Sequence, residues 1–112
     1  MIDESLMPRI EAHTTRFKEI ETLLGDPDVA ADQRRFVKLT KEYKHLGRLM
    51  QLLKQHADQL SNIEFYQEVI ELDESPAEVQ SATDSLTAAR AEVERIEEEI
   101  KLFLLPLSLI HI

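Results

Sequence analysis

Apolar side chains recur along this chain at alternating steps of three and four residues, the spacing that keeps one face of an α-helix apolar. The first run is Leu6, Ile10, Phe17, Ile20 and Leu24, with His13 as a polar intruder in the same seam. Gly25 follows at once, where a helix end favours a residue tolerant of left-handed φ. Asp26-Pro27 then supplies an N-cap candidate and a proline suited to a first helical turn. Asp32 is a second cap candidate, so the start of the next helix stays open by several residues. The pattern predicts a first helix over about residues 3–24.

The second run is longer. Phe36, Leu39, Tyr43, Leu46, Met50, Leu53, Ala57 and Leu60 step 3-4-3-4-3-4-3. Past Leu60 the strict register fails, because Glu64 and Gln67 would occupy the seam; Ile63, Tyr66 (or Phe65) and Ile70 take over, a shift of the stutter kind. This predicts a helix over about residues 30–72, roughly 60 Å long at 1.5 Å per residue. Gly47 lies inside it and costs about 1 kcal/mol relative to alanine.

Ser75-Pro76-Ala77-Glu78 reads as a capping box with proline at the first helical position. Val79, Ala82, Leu86, Ala89, Val93, Ile96, Ile100 and Phe103 then form a third seam, predicting a helix over about residues 76–104. A short connection makes the second and third helices antiparallel. The expected fold is all-α: an elongated, coiled-coil-like three-helix bundle, with a short first helix packed on a long antiparallel helical hairpin. Such helices are marginal alone and depend on burying their seams against one another.

Composition narrows the function more than the fold. The 112 residues contain no cysteine, which excludes disulfides and thiolate metal sites, and the two glycines and four prolines are too few for a loop-rich β fold. No window of about 20 apolar residues is present to span a bilayer, and Met1-Ile-Asp-Glu-Ser lacks the features of a signal peptide; a cytoplasmic protein is expected. The net charge of −9 is unevenly placed: residues 1–62 carry ten acids and ten bases, residues 63–112 twelve acids and three bases.

Candidate chemistry is sparse. His13, His45, His56 and His111 do not stand at ligand spacing with a completing carboxylate, so no metal site is expected; His13 reads as a partly buried ring. Glu97, Glu98 and Glu99 point around three faces of a helix and read as solvated surface. No phosphate loop or nucleophile elbow occurs. No catalytic residue, cofactor or small-molecule substrate is assigned, and an enzyme built from this chain alone is not expected. One surface feature stands out: Arg34, Arg35, Lys38, Lys41, Lys44 and Arg48 fall within four turns, and positions 34, 38, 41, 45 and 48 share a stripe. Either the strip contacts rRNA, or its bases pair with acids on neighbouring helices as e and g positions do. The many acids of the third helix favour pairing.

The end of the chain breaks the pattern. Leu107-Ser-Leu-Ile-His-Ile112 is apolar after a charged helix, and it back-translates naturally to CTG TCT CTT ATA CAC ATC, which resembles the adapter end of transposase-prepared sequencing libraries. Residues 107–112 are therefore read as an adapter scar and left out of fold reasoning.

Three landmarks carry a family resemblance: Leu23-Leu-Gly-Asp26, Ala31-Asp-Gln-Arg-Arg-Phe36 and Lys41-Glu-Tyr43, in that order, with Leu104-Leu-Pro106 further on. Together they resemble the amino-terminal region of the bacterial class-1 peptide chain release factors, over about residues 6–106. Within the family the chain is more similar to the type that reads UAA and UAG than to the UAA/UGA type. His13, where an apolar residue is usual, and Gly47 in mid-helix depart from the pattern. The resemblance implies translation termination in the cytoplasm, with the ribosome (rRNA and ribosomal proteins) and the recycling GTPase release factor as partners. It implies a helical first domain facing the stalk base of the ribosome. The codon-reading tripeptide and the Gly-Gly-Gln of the later domains do not occur in these residues, so no site residue is carried over. The alternative is a stand-alone coiled-coil structural or adaptor module that acts by self-association.

Overall fold

The computed structural model describes residues 1–72 and 75–105. Residues 73–74 and 106–112, the segment read as an adapter scar among them, lie outside the described residues. The described elements are all helical: a 3₁₀ turn at Glu4–Leu6, then α1 (Met7–Leu24), α2 (Pro27–Ala31), α3 (Gln33–Leu72) and α4 (Pro76–Leu104).

The start and stop of each helix follow from local chemistry. Asp3 accepts from the Ser5 amide at 3.0 Å and caps the 3₁₀ turn, so the expected first helix begins as a tighter coil before α1. The two cap candidates do not compete. Asp26 accepts from the Asp28 amide at 2.9 Å and starts the five-residue α2, while Asp32 accepts from the Arg35 amide at 3.2 Å and starts α3. What the pattern left as one uncertain start is thus a one-turn helix followed by a fresh cap.

Gly25 corrects an expectation. Its φ is −86° and its ψ −4°, and no described residue has positive φ. The chain leaves α1 by 3₁₀-type tightening instead: the Gly25 amide donates to the Thr22 carbonyl at 3.2 Å and the Asp26 amide to the Leu23 carbonyl at 3.1 Å. No left-handed residue is needed.

The chain forms two compact units. Among the described residues, one comprises residues 2–51 with residues 103–105. Its core is Ile20 from α1, Val29 from α2, and Leu39 and Leu46 from α3, packed by Phe17, Leu23, Leu24, Tyr43 and Phe103. Val29, only 1% exposed, explains why the single turn of α2 exists: it lays one apolar side chain onto that core. Phe17 stacks on Tyr43 with centroids 4.7 Å apart. The Arg9 guanidinium donates to the Leu104 carbonyl at 3.0 Å, satisfying one of the carbonyls a helix end leaves unpaired.

The other unit comprises Met1 and residues 52–102, and its helices run antiparallel: His56 meets Glu97, and Tyr66 lies beside Ser85. The third seam is buried as its spacing implies, through Ala82, Leu86, Ala89, Val93, Ile96 and Ile100. Near the hairpin tip the small residues Ala82, Ser85 and Ala89 line shallow grooves with Tyr66.

The α3 seam departs from the heptad. Leu49 and Leu52 are buried although neither is a seam position, whereas Ala57 and Leu60 are exposed. From Leu53 onward the half-buried positions of α3 are Leu53, His56, Gln59, Ile63, Tyr66, Val69 and Ile70. A straight helix of 3.6 residues per turn drifts by about 20° per heptad against a 3.5 repeat. The register change therefore begins at Leu49, about four turns before the polar intrusions at Glu64 and Gln67 announce it.

A Cβ built on Gly47 would lie 3.7 Å from the Phe17 ring, an ordinary contact, and one on Gly25 would come no closer than 3.5 Å to the Thr22 carbonyl. Gly47→Ala is therefore expected to stabilise the chain by about 0.5–1 kcal/mol through helix propensity. Thermal unfolding followed by circular dichroism should show a midpoint higher by a few degrees; an unchanged or lower midpoint would mean that the Phe17 ring uses the gap.

Candidate functional site

Among the described residues, three groups of titratable side chains stand out. Helices α3 and α4 bring His56 and Glu97 together in the unit of residues 52–102. The His56 Nε2 lies 2.7 Å from Glu97 Oε2, and both side chains are about seven-eighths covered, at 13% and 14% exposure. The other carboxylate oxygen accepts from the amino terminus of Met1 at 2.6 Å. Burial by itself would push the Glu97 carboxyl up, but the bonds from the terminal ammonium and His56 outweigh it and hold the group below its ordinary value.

This corrects the reading of Glu97–Glu99 as solvated surface. Glu98 is exposed, but Glu97 is an interior partner, and Glu99 bonds Arg95 at 3.0 Å. Arg95 also pairs with Glu92, whose carboxyl the guanidinium holds low. Three successive residues point in three directions, as a helix requires, and one of those directions is toward α3.

In the unit of residues 2–51, Arg16 on α1 grips Glu42 on α3 through a fork: Nε to Oε2 at 2.7 Å and Nη2 to Oε1 at 3.0 Å. The guanidinium holds the Glu42 carboxyl below its ordinary value. His13 meets the Phe103 ring edge-on at 6.1 Å, and His45 stacks on the same ring at 4.7 Å. His13 is half-buried, as its seam position implies. Among the described residues no three His, Asp or Glu side chains converge on a point that could hold a metal ion; His111 lies outside them. No described helix is long and apolar enough to cross a membrane.

The basic strip is the third place, and the favoured pairing with acids of α4 is not found at five of its six bases, while the sixth, Arg48, has an interaction partner. Arg34, Arg35, Lys38, Lys41 and Lys44 are all exposed, and among the described residues none of them forms an ion pair with an acid of α4. The reason is where α4 ends. His45 lies on the stripe of positions 34, 38, 41, 45 and 48, and its ring stacks on Phe103, the penultimate residue of that helix. The one acid within residues 33–48, Glu42, is already held by Arg16; these two residues share a shallow groove with Leu23, Arg35, Lys38 and Leu39.

Spacing alone could not reveal the Arg16–Glu42 and His56–Glu97 pairs, since both join residues from different helices. The one available signal was the drift of α3, which turns His56 toward α4 and Ala57 away.

Comparison with known proteins adds the family. Residues 13–109 match the PCRF domain. The peptide chain release factor 1 of Bacteroides fragilis is 39% identical over 105 residues, which cover 93% of this chain and 28% of the relative. That of Bacteroides thetaiotaomicron is 41% identical over 108 residues, covering 95% and 29%, and that of Parabacteroides distasonis 35% identical over 106 residues, covering 95% and 29%. The chain thus spans less than a third of the length of the curated relatives it matches. No solved structure matches it significantly.

Proposed function

The chain belongs to the PCRF domain family, and from that premise we propose that it is the amino-terminal helical portion of a peptide chain release factor ending translation at UAA and UAG. The observation that carries this reading is similarity that runs through nearly the whole chain, 39% over 93% of its residues, to a protein named as a release factor. The landmark segment has a physical role consistent with it. Leu23–Asp26 ends α1, Asp26 and Asp32 cap α2 and α3, and Glu42 ties α3 back to α1, so these residues set the angle at which α3 leaves α1.

In this reading the codon is read and peptidyl-tRNA hydrolysed by domains beyond residue 106. The helical portion works through its surface, on the ribosome in the cytoplasm and in concert with the recycling GTPase. It supplies no catalytic group.

The test is the parent reading frame and its product. The source locus should continue from Pro106 into a charged linker and then a Gly-Gly-Gln. The full-length protein should release peptide from ribosomes programmed with UAA or UAG and not UGA, while residues 1–112 alone release none. A frame that stops after Ile112, or release at UGA, would overturn the assignment. A stable dimer of the 112-residue chain in sedimentation, together with no ribosome affinity, would favour the self-associating structural module.

A further inference from the structure

We propose that the face of α3 bearing Arg34, Lys38 and Lys41, flanked by Arg35 and Lys44, is a docking surface for the phosphate backbone of RNA. The inference goes beyond the release-factor reading and stands without it, on charge and geometry alone. Residues 33–48 carry six bases and one acid in a chain whose net charge is −9. That acid, Glu42, is occupied by the fork from Arg16. Leaving aside Arg48, which has a partner of its own, Arg34, Arg35, Lys38, Lys41 and Lys44 give the strip a positive charge.

Three further observations define the surface. Arg34, Lys38 and Lys41 stand at successive i,i+4 and i,i+3 positions, which places neighbouring side chains about 5–6 Å apart along one face. All five cations are exposed. At His45, whose ring stacks on Phe103, the row of lysines and arginines is interrupted on one side.

Backbone phosphates fit this surface better than an acidic protein does. A protein interface needs a desolvated apolar centre, from which charged residues are depleted; the stripe is a row of long, solvated cations. Phosphate binding needs only cations in line, because its free energy comes from releasing counterions condensed on the polyanion. The carboxylates elsewhere on the chain repel the same polyanion and confine contact to this face. Readout is expected to be insensitive to sequence, since no side chain here is held in a geometry that would fix a base edge.

The experiment measures anisotropy of a fluorescein-labelled RNA hairpin titrated with the 112-residue chain, between about 50 and 200 mM salt. The expected result is binding whose log K falls with log salt at a slope between about −2 and −4.5, for three to five phosphates at 0.7–0.9 each. Affinity should then drop at least tenfold over that salt range. Lys38→Gln with Lys41→Gln should make the slope shallower by about 1.4–1.8, with the helical circular dichroism spectrum unchanged. Lys54→Gln with Arg90→Gln, exposed cations away from the strip, should leave binding as it was. No binding at the lowest salt, an equal loss in the control pair, or tighter binding to poly-L-glutamate than to RNA would each overturn the proposal.

Discussion

Leu49→Ala is expected to destabilise the chain by about 2–5 kcal/mol, the range for truncating a fully buried leucine, while Leu60→Ala costs no more than about 1 kcal/mol. Leu49 has no exposed surface, and Leu60 retains 47% of its own. The two side chains are chemically identical and lie on the same helix, so the comparison isolates burial. The heptad pattern assigns them the other way round: Leu60 is a seam residue and Leu49 is not. Urea unfolding followed by circular dichroism measures both. Equal losses, or a larger loss at Leu60, would mean that α3 keeps a coiled-coil register and that the straight-helix packing described here is wrong. Ile20→Ala gives a matching reference in the unit of residues 2–51, since Ile20 is also fully covered and sits against Val29, Leu39 and Leu46; it belongs in the same 2–5 kcal/mol range.

The second large effect is at Glu97. Glu97→Ala removes a carboxylate with two charge-assisted partners and leaves His56, 13% exposed, without its acceptor. The expected cost at neutral pH is about 2–3 kcal/mol, in the range for hydrogen bonds to charged groups and for an orphaned buried polar group. His56→Ala should cost less, about 1–2 kcal/mol, because the terminal ammonium still satisfies Glu97.

The pH dependence has a definite sign. The carboxyl of Glu97 is lower in the folded chain than its ordinary value. A depressed carboxylate contributes stability that is fully present above the unfolded value, near 4.3, and that is lost as pH falls through the folded value. Unfolding free energies of the wild-type chain should therefore fall more steeply between neutral pH and about pH 3 than those of Glu97→Ala. The gap between the two proteins should narrow at the acid end. A constant gap across that range would show that Glu97 matters only for packing.

Much of this protein is legible before any coordinates are known, and the reason is that helices are local. Periodicity, caps and prolines act over a few residues, so the seam from Val79 to Ile100 and the start of α4 at Pro76 follow from spacing. The family is legible for a related reason: the order Leu-Leu-Gly-Asp, Ala-Asp-Gln-Arg-Arg-Phe, Lys-Glu-Tyr is a linear property of the chain and needs no fold to be compared. Where local rules offer two answers, they mislead. Gly25 fits a left-handed C-cap, but a 3₁₀ exit serves the same carbonyls. Asp26 and Asp32 look like rivals for one helix start until a one-turn helix uses both.

Function was hardest to read, because charged residues acquire meaning only from their neighbours. Glu97 and Glu98 are adjacent and chemically identical, yet one is an interior acceptor for His56 and the other lies in water. Lys38 and Lys41 looked like partners for the acids of α4, but that helix ends beside His45.

What the sequence alone determined is which segments are helical and to which family they belong. Tertiary structure decided which face of α3 is buried, since supercoil or straightness depends on what packs along a helix and not on its own repeat. It also decided which charges are spent and which are free, because a fork such as Arg16–Glu42 joins residues 26 apart in the chain through the packing of α1 on α3.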